Sequence, residues 1–208
     1  MTDHTSLDIS TRGAGILLHP TSLPGSAGIG DLGDVAFRFV DFLAGAGLEF
    51  WQIMPLAPTG FGDSPYAGFS AFAGNHYLIS LDRLAQDGLL DGDDIAAAPP
   101  FPPDRVDYGP VIEFRTALLN SAFQRWRGSH AADADFLEFR ARHADWLDGY
   151  VRFMALKELH HGAIWNTWST GDVDEQARDE LELLHSFPQF TFDRQWHAIR
   201  AYAAERNI

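Results

Sequence analysis

The sequence predicts an α/β fold: a (β/α)8 TIM barrel with a helical insertion, here only the N-terminal part of the barrel. Three observations point there. Two short apolar runs flank an amphipathic helix, which is the strand–helix–strand order of a parallel sheet. A mainly helical stretch then interrupts that alternation. Finally, the 208 residues close on a helical pattern at Ile208, where the alternation calls for another strand, and a whole barrel needs about 250 residues.

The elements follow in order. "GILLHP" (Gly15–Pro20) is a short apolar run closed by proline, a buried strand by length and punctuation. "DLGDVAFRFVDFLAGAG" places Val35, Phe39, Phe42, Leu43 and Ala46 at helical spacing, with Asp31 suited to the N-cap or first turn and Gly47 to the C′ position. "FWQIMPL" (Phe50–Leu56) is the second strand, and "NHYLISL" (Asn75–Leu81) reads as a third extended segment. An acidic, Pro- and Gly-rich connector follows. Helices are then expected over Ile112–Arg127 and Asp135–His160, over "DEQARDELELLHS", and over "FDRQWHAIRAYAAERNI" as a separate last helix. The predicted organisation is residues 1–87 as the first barrel units, 88–190 as a helical insertion and 191–208 as a barrel helix.

Composition narrows the function. A formal net charge of −14 with no basic cluster repels nucleic acid and anionic membranes. There is no run of about 18 apolar residues and no basic, then apolar, leader at the N-terminus. Cysteine is absent, which excludes disulfide and thiolate chemistry and fits a cytoplasmic protein.

Several motifs have a plain reading. "GIGDLG" (Gly28–Gly33) satisfies the dinucleotide pattern G-x-G-x-x-G, but seven residues separate it from the strand, and Asp31 and Asp34 stand where phosphates would sit. It is read as a loop leading into a capped helix rather than a nicotinamide site. His160 and His161 point about 100° apart on a helix, and His143, His185 and His197 lack partners at ligand spacing, so no metal is expected. Glu49 and Asp63 bracket a strand about 20 Å long and cannot flank one bond. Asp31 and Asp63 could share the face beyond the strand ends, though Asp31 reads first as a helix cap.

The distinctive segment is "PTGFGDSPYAGFSAFAGN", residues 58–75. It carries four aromatic rings, four glycines and one charge. Flat rings stack on the C–H faces of sugars, and short polar side chains take the hydroxyls. A ring-rich loop leaving a barrel strand is a place for such a site. Phe69 and Phe72 are expected to pack under the loop. Tyr66, stiffened by Pro65, is expected to meet a ligand, with Asp63 and Ser64 beside it.

"GILLHPTSLPGSAGIGDLG", "FWQIMPLAPTGFGDSPYAGFSAFAGNHYLISL", "RVDYGPVIEFR", "FMALKELHHGAIWNTW" and "FDRQWHAIRAYA" together resemble the 4-α-glucanotransferase family (amylomaltase, disproportionating enzyme, glycoside hydrolase family 77) from about Gly13 onward. The resemblance implies a (β/α)8 barrel with insertions and transfer of an α-1,4-glucan segment to the 4-OH of glucose or another glucan. It implies a retaining mechanism with two carboxyl groups about 5 Å apart. Maltooligosaccharides are the implied substrates; no cofactor or metal is implied. Tyr66 would stack on a sugar near the cleavage point, with Asp63 and Ser64 close by. The family's catalytic carboxylates lie on later strands, so no catalytic residue is expected here. Phe61 stands where the family often has Tyr. The alternative is a non-catalytic glucan-binding or structural remnant of the family.

Overall fold

The computed structural model describes residues 12–25, 27–129, 133–168 and 173–208. β1 (Gly15–Leu17) and β2 (Phe50–Gln52) pair in parallel, with Gly15 opposite Phe50 and Leu17 opposite Gln52. Two further backbone bonds extend the ladder: Leu18 N–H donates to Gln52 O at 3.0 Å, and Glu49 N–H donates to Ala14 O at 2.8 Å. Pro20 and Pro55, which lack N–H groups, follow soon after each strand, so the strands are shorter than the apolar runs suggest.

α1 (Asp34–Gly45) lies between the strands and buries Ala36, Val40 and Leu43. Its Phe39 meets Trp51 of β2 edge-on at 4.9 Å, and Trp51 Nε1–H donates to Leu18 O at 2.7 Å. Gly47 takes the left-handed conformation expected past the helix end (φ 68°). The N-cap is Gly33, not Asp31. Asp31 sits before the helix and accepts the Gly33 N–H at 2.9 Å.

The third extended segment is a correction. Residues 75–81 form a 3-10 turn (His76–Leu78) and then enter α2 (Leu81–Gln86). Asn75 Oδ1 accepts the Tyr77 N–H at 2.9 Å, and Ser80 caps α2 through the Arg83 N–H. Short polar side chains thus supply the bonds that a strand partner would have given.

α3 (Gly92–Ala96) ends the connector, and α4 (Tyr108–Ser129) buries Leu118, Leu119, Ala122, Phe123 and Trp126, the stripe read from the sequence. The single helix expected over 135–160 is two, α5 (Ala134–Arg142) and α6 (Ala144–Leu159), broken at His143. The two helices expected near the C-terminus are one, α7 (Glu175–Ala204), which runs through Pro188. Proline removes one intrahelical donor there. Around it the Ser186 and Thr191 hydroxyls donate back to the Glu182 and Phe187 carbonyls at 2.7 and 3.0 Å.

α7 packs on both α1 and α6 and so ties the strand–helix layer to the helical part. The core is continuous across them: Leu32, Ala36 and Leu78 join Phe123, Phe136, Val151, Phe187 and Ile199. Among the described residues no helix is long and apolar enough to cross a membrane.

Candidate functional site

Residues 58–75 leave the end of β2 and fold on themselves by short-range bonds. Gly62 and Asp63 both adopt positive φ (73° and 54°), and Asp63 is a non-glycine residue held in the left-handed region. Ser64 Oγ accepts the Tyr66 N–H at 3.3 Å, and Ser70 Oγ accepts the Phe72 and Ala73 N–H groups at 3.1 Å each.

The end of the loop is clamped from α7. Gln189 Oε1 accepts the Gly74 N–H at 2.8 Å, and its Nε2 donates to Gly74 O at 3.0 Å. Gln195 repeats the arrangement on Ser80, at 2.7 and 3.3 Å. These buried amides act as substitute strand partners, and sequence reasoning missed both. A side chain at Gly74 would meet the Phe192 ring at 2.1 Å, so the backbone approach needs glycine.

Beside the loop lies a cleft of about 790 Å³. Pro65, Tyr66 and Phe72 form its loop side, and His143, Trp146, Gln189, Asp193 and Trp196 line the helical side. Tyr66 stands 74% exposed at this cleft. Asp63 and Ser64 are half-buried and do not line it; the Ser64 hydroxyl instead fixes the Tyr66 backbone. The Asp63 charge, after burial, helps raise the Tyr77 and Tyr108 hydroxyls above their usual range.

Phe72 is a correction. It does not pack under the loop but is 73% exposed, with its ring stacked against Trp146 (centroids 6.4 Å apart, 24° between planes). Phe69 is 47% exposed, near Phe153 and under Lys157 Nζ at 5.4 Å.

Asp31 is engaged by partners of its own. Its carboxylate faces the fully buried Arg115 at 3.5 Å, and Arg115 also donates to Ile79 O. Burial raises the Asp31 carboxyl, while Arg115 and the Gly33 N–H pull it back down. This pair fastens the "GIGD" loop to α4. The other glycines of that motif serve close packing: a Cβ on Gly30 would lie 2.1 Å from Pro20 O, and one on Gly33 2.6 Å from Ser80 Oγ. The histidines are dispersed. His160 stacks on Trp168 at 5.2 Å, and His185 pairs with Glu158 at 3.1 Å.

The 4-alpha-glucanotransferase family model matches residues 18–208. The chain belongs to the 4-alpha-glucanotransferase family. It is 47% identical to a 4-alpha-glucanotransferase of Synechocystis over 96% of this chain and 42% of that protein. It is 44% identical to one of Thermus thermophilus over 95% and 41%. The chain therefore spans about two fifths of the length of these curated relatives. Its fold matches an amylomaltase from Streptococcus agalactiae, solved in complex with acarbose, with a TM-score of 0.86 and 35% identity, over 95% of this chain and 42% of that one.

Proposed function

We propose that this chain is the first part of a 4-α-glucanotransferase and supplies one wall of its α-1,4-glucan site. The observation that carries the reading is Tyr66, an exposed ring on a loop pinned at Ser64, Ser70 and Gly74, facing a cleft of ligand size. The name and bound acarbose of the amylomaltase from S. agalactiae support a glucan as ligand. In this reading β1, α1 and β2 are the opening units of a (β/α)8 barrel, residues 88–190 are its insertion, and the protein works in the cytoplasm.

The reaction is a retaining transfer. A carboxylate attacks the anomeric carbon while a carboxylic acid, about 5 Å from that carboxylate, protonates the leaving oxygen. The 4-OH of an acceptor glucan, giving its proton to the second carboxylate, then displaces the enzyme carboxylate from the anomeric carbon. Among the described residues lining the cleft with Tyr66, Asp193 is the one carboxylate, and Asp31 is committed to Arg115. The catalytic pair is assigned to residues outside these 208. Tyr66 stacks on the sugar, and Asp63 and Ser64 hold the turn that presents it.

Calorimetric titration with maltotriose tests the binding part. Wild type should bind, and Tyr66→Ala should bind at least tenfold more weakly, as expected for loss of ~1.4 kcal/mol or more of stacking. Equal affinity in both would remove Tyr66 from the site.

A further inference from the structure

The helix expected over 135–160 breaks at His143, which ends α5 and starts α6 with φ −113° and ψ 12°. Its main-chain carbonyl accepts the Trp146 and Leu147 N–H groups at 3.2 and 2.8 Å, so the backbone that carries the ring is held. The imidazole has Phe139 of α5 beside it at 4.9 Å and Trp146 of α6 edge-on at 5.7 Å. Trp146 in turn stacks on the exposed Phe72 ring of the loop, and both line the cleft.

The two nitrogens of the ring face opposite demands. An indole N–H can only donate. Trp146 Nε1–H donates to His143 Nδ1 at 3.2 Å, so Nδ1 is bare and the neutral ring carries its proton on Nε2. Nε2 is buried, lies 4.0 Å from Asp193 Oδ1 of α7 and has no hydrogen-bond partner among the described residues. A second proton on His143 goes to Nδ1. Two N–H donors then face each other, and the bond to Trp146 is lost. The same proton makes the ring a cation, which the Asp193 carboxylate attracts. His197 of α7 approaches the same Asp193 Oδ1 at 3.3 Å, and Tyr66 faces His143 across the cleft from the loop. On the segment that carries His143, Arg142 pairs with Glu138 and Asp145 is exposed.

We propose that His143 is a positioning residue that acts as a proton-operated latch on the cleft wall. Neutral His143 holds the Trp146 indole in the wall against Phe72, and protonated His143 turns to Asp193 and releases it. The proposal rests on the reading of this cleft as a glucan site and adds a control to that site. Each state has one contact that the other lacks, the indole bond in the neutral form and the Asp193 ion pair in the charged one, as a two-state element requires. Histidine is the side chain whose ordinary charge change falls between about pH 5 and 8. The sign follows from linkage. A sugar that needs Trp146 in the wall favours the neutral ring, so its affinity falls as pH drops and the proton goes on.

The test reads Trp146 directly. The 208-residue protein carrying fluorotryptophan is followed by fluorine NMR from about pH 8 to pH 5, with the Trp146 resonance identified by its absence in Trp146→Phe. In wild type that resonance should move in one protonation step. It should stay still in His143→Asn, whose Oδ1 can accept the indole N–H and takes no proton, and should still move in His197→Asn. Calorimetry with maltotriose should show about tenfold weaker binding at the acid end in wild type, and a change within about twofold in His143→Asn. A wild-type resonance that does not move overturns the proposal, whether or not any variant folds. A resonance that moves equally in His143→Asn, or stands still in His197→Asn, overturns it as well. A moving resonance with pH-independent maltotriose affinity overturns the control of the site. Absence of maltotriose binding at every pH overturns the glucan reading instead, and the resonance still decides the latch.

Discussion

At the scale of single residues, the site depends on amides that replace a strand partner. Gln189→Ala leaves the buried Gly74 N–H and C=O without their bonds, and each unsatisfied buried group costs about 1–3 kcal/mol. Urea melts should show a loss of at least that size, whereas Tyr66→Ala, at an exposed ring, should change stability by less than about 0.5 kcal/mol. A stable Gln189→Ala protein would show that the loop holds itself. His76 gives a pH dependence. Burial, with the nearby His185 and Arg115 charges, pushes its ring from 6.5 down to about 4. Between those values the unfolded chain takes up a proton that the folded chain refuses. Stability therefore falls as pH drops through that window and levels off below it. His76→Gln should flatten part of this slope in melts at stepped pH, and an unchanged slope would contradict the assignment.

At the scale of elements, α7 joins the layers, and its one irregularity is Pro188. Removing the missing-donor penalty with Pro188→Ala should raise stability by about 1–2 kcal/mol, read as a higher urea midpoint. A lower midpoint would mean that packing of the proline ring outweighs the lost bond. The elements also show what the sequence could reveal. β1, α1, β2 and the buried stripe of α4 were legible because each is marked by local periodicity and its own stop signals, but β1, expected to be buried, leaves Leu17 exposed. The α7 fusion was hidden because proline reads as a break, yet the helix runs through Pro188, with the Ser186 and Thr191 hydroxyls bonding back to the Glu182 and Phe187 carbonyls beside it. Residues 75–81 have a strand-like pattern, yet Asn75 and Ser80 close turns there. The Gln189 and Gln195 clamps join residues 115 positions apart, beyond the reach of any local pattern. Tyr66 stands out in its loop from the sequence, and the structure leaves it exposed at the cleft. Asp193 and Trp146 were not legible, because the fold alone brings α6 and α7 against the loop.

At the scale of the whole molecule, β1 and β2 form a two-stranded parallel sheet, an arrangement that is ordinarily covered on both faces. Leu17, Phe42 and Phe50 are exposed on this layer, and Ile208 lies with Trp51, Ile53 and Trp196 around a further hollow. Such a surface favours association, so the purified chain should elute as oligomers in light-scattering chromatography. A monodisperse, cooperatively melting monomer would contradict this. These residues are proposed to shape a glucan site while the reacting carboxylates lie elsewhere. Incubating the 208-residue protein with maltotriose and resolving the products by chromatography tests it most directly. The account predicts that maltotriose persists unchanged. A ladder of glucose and longer maltooligosaccharides would contradict it and place the chemistry within this chain.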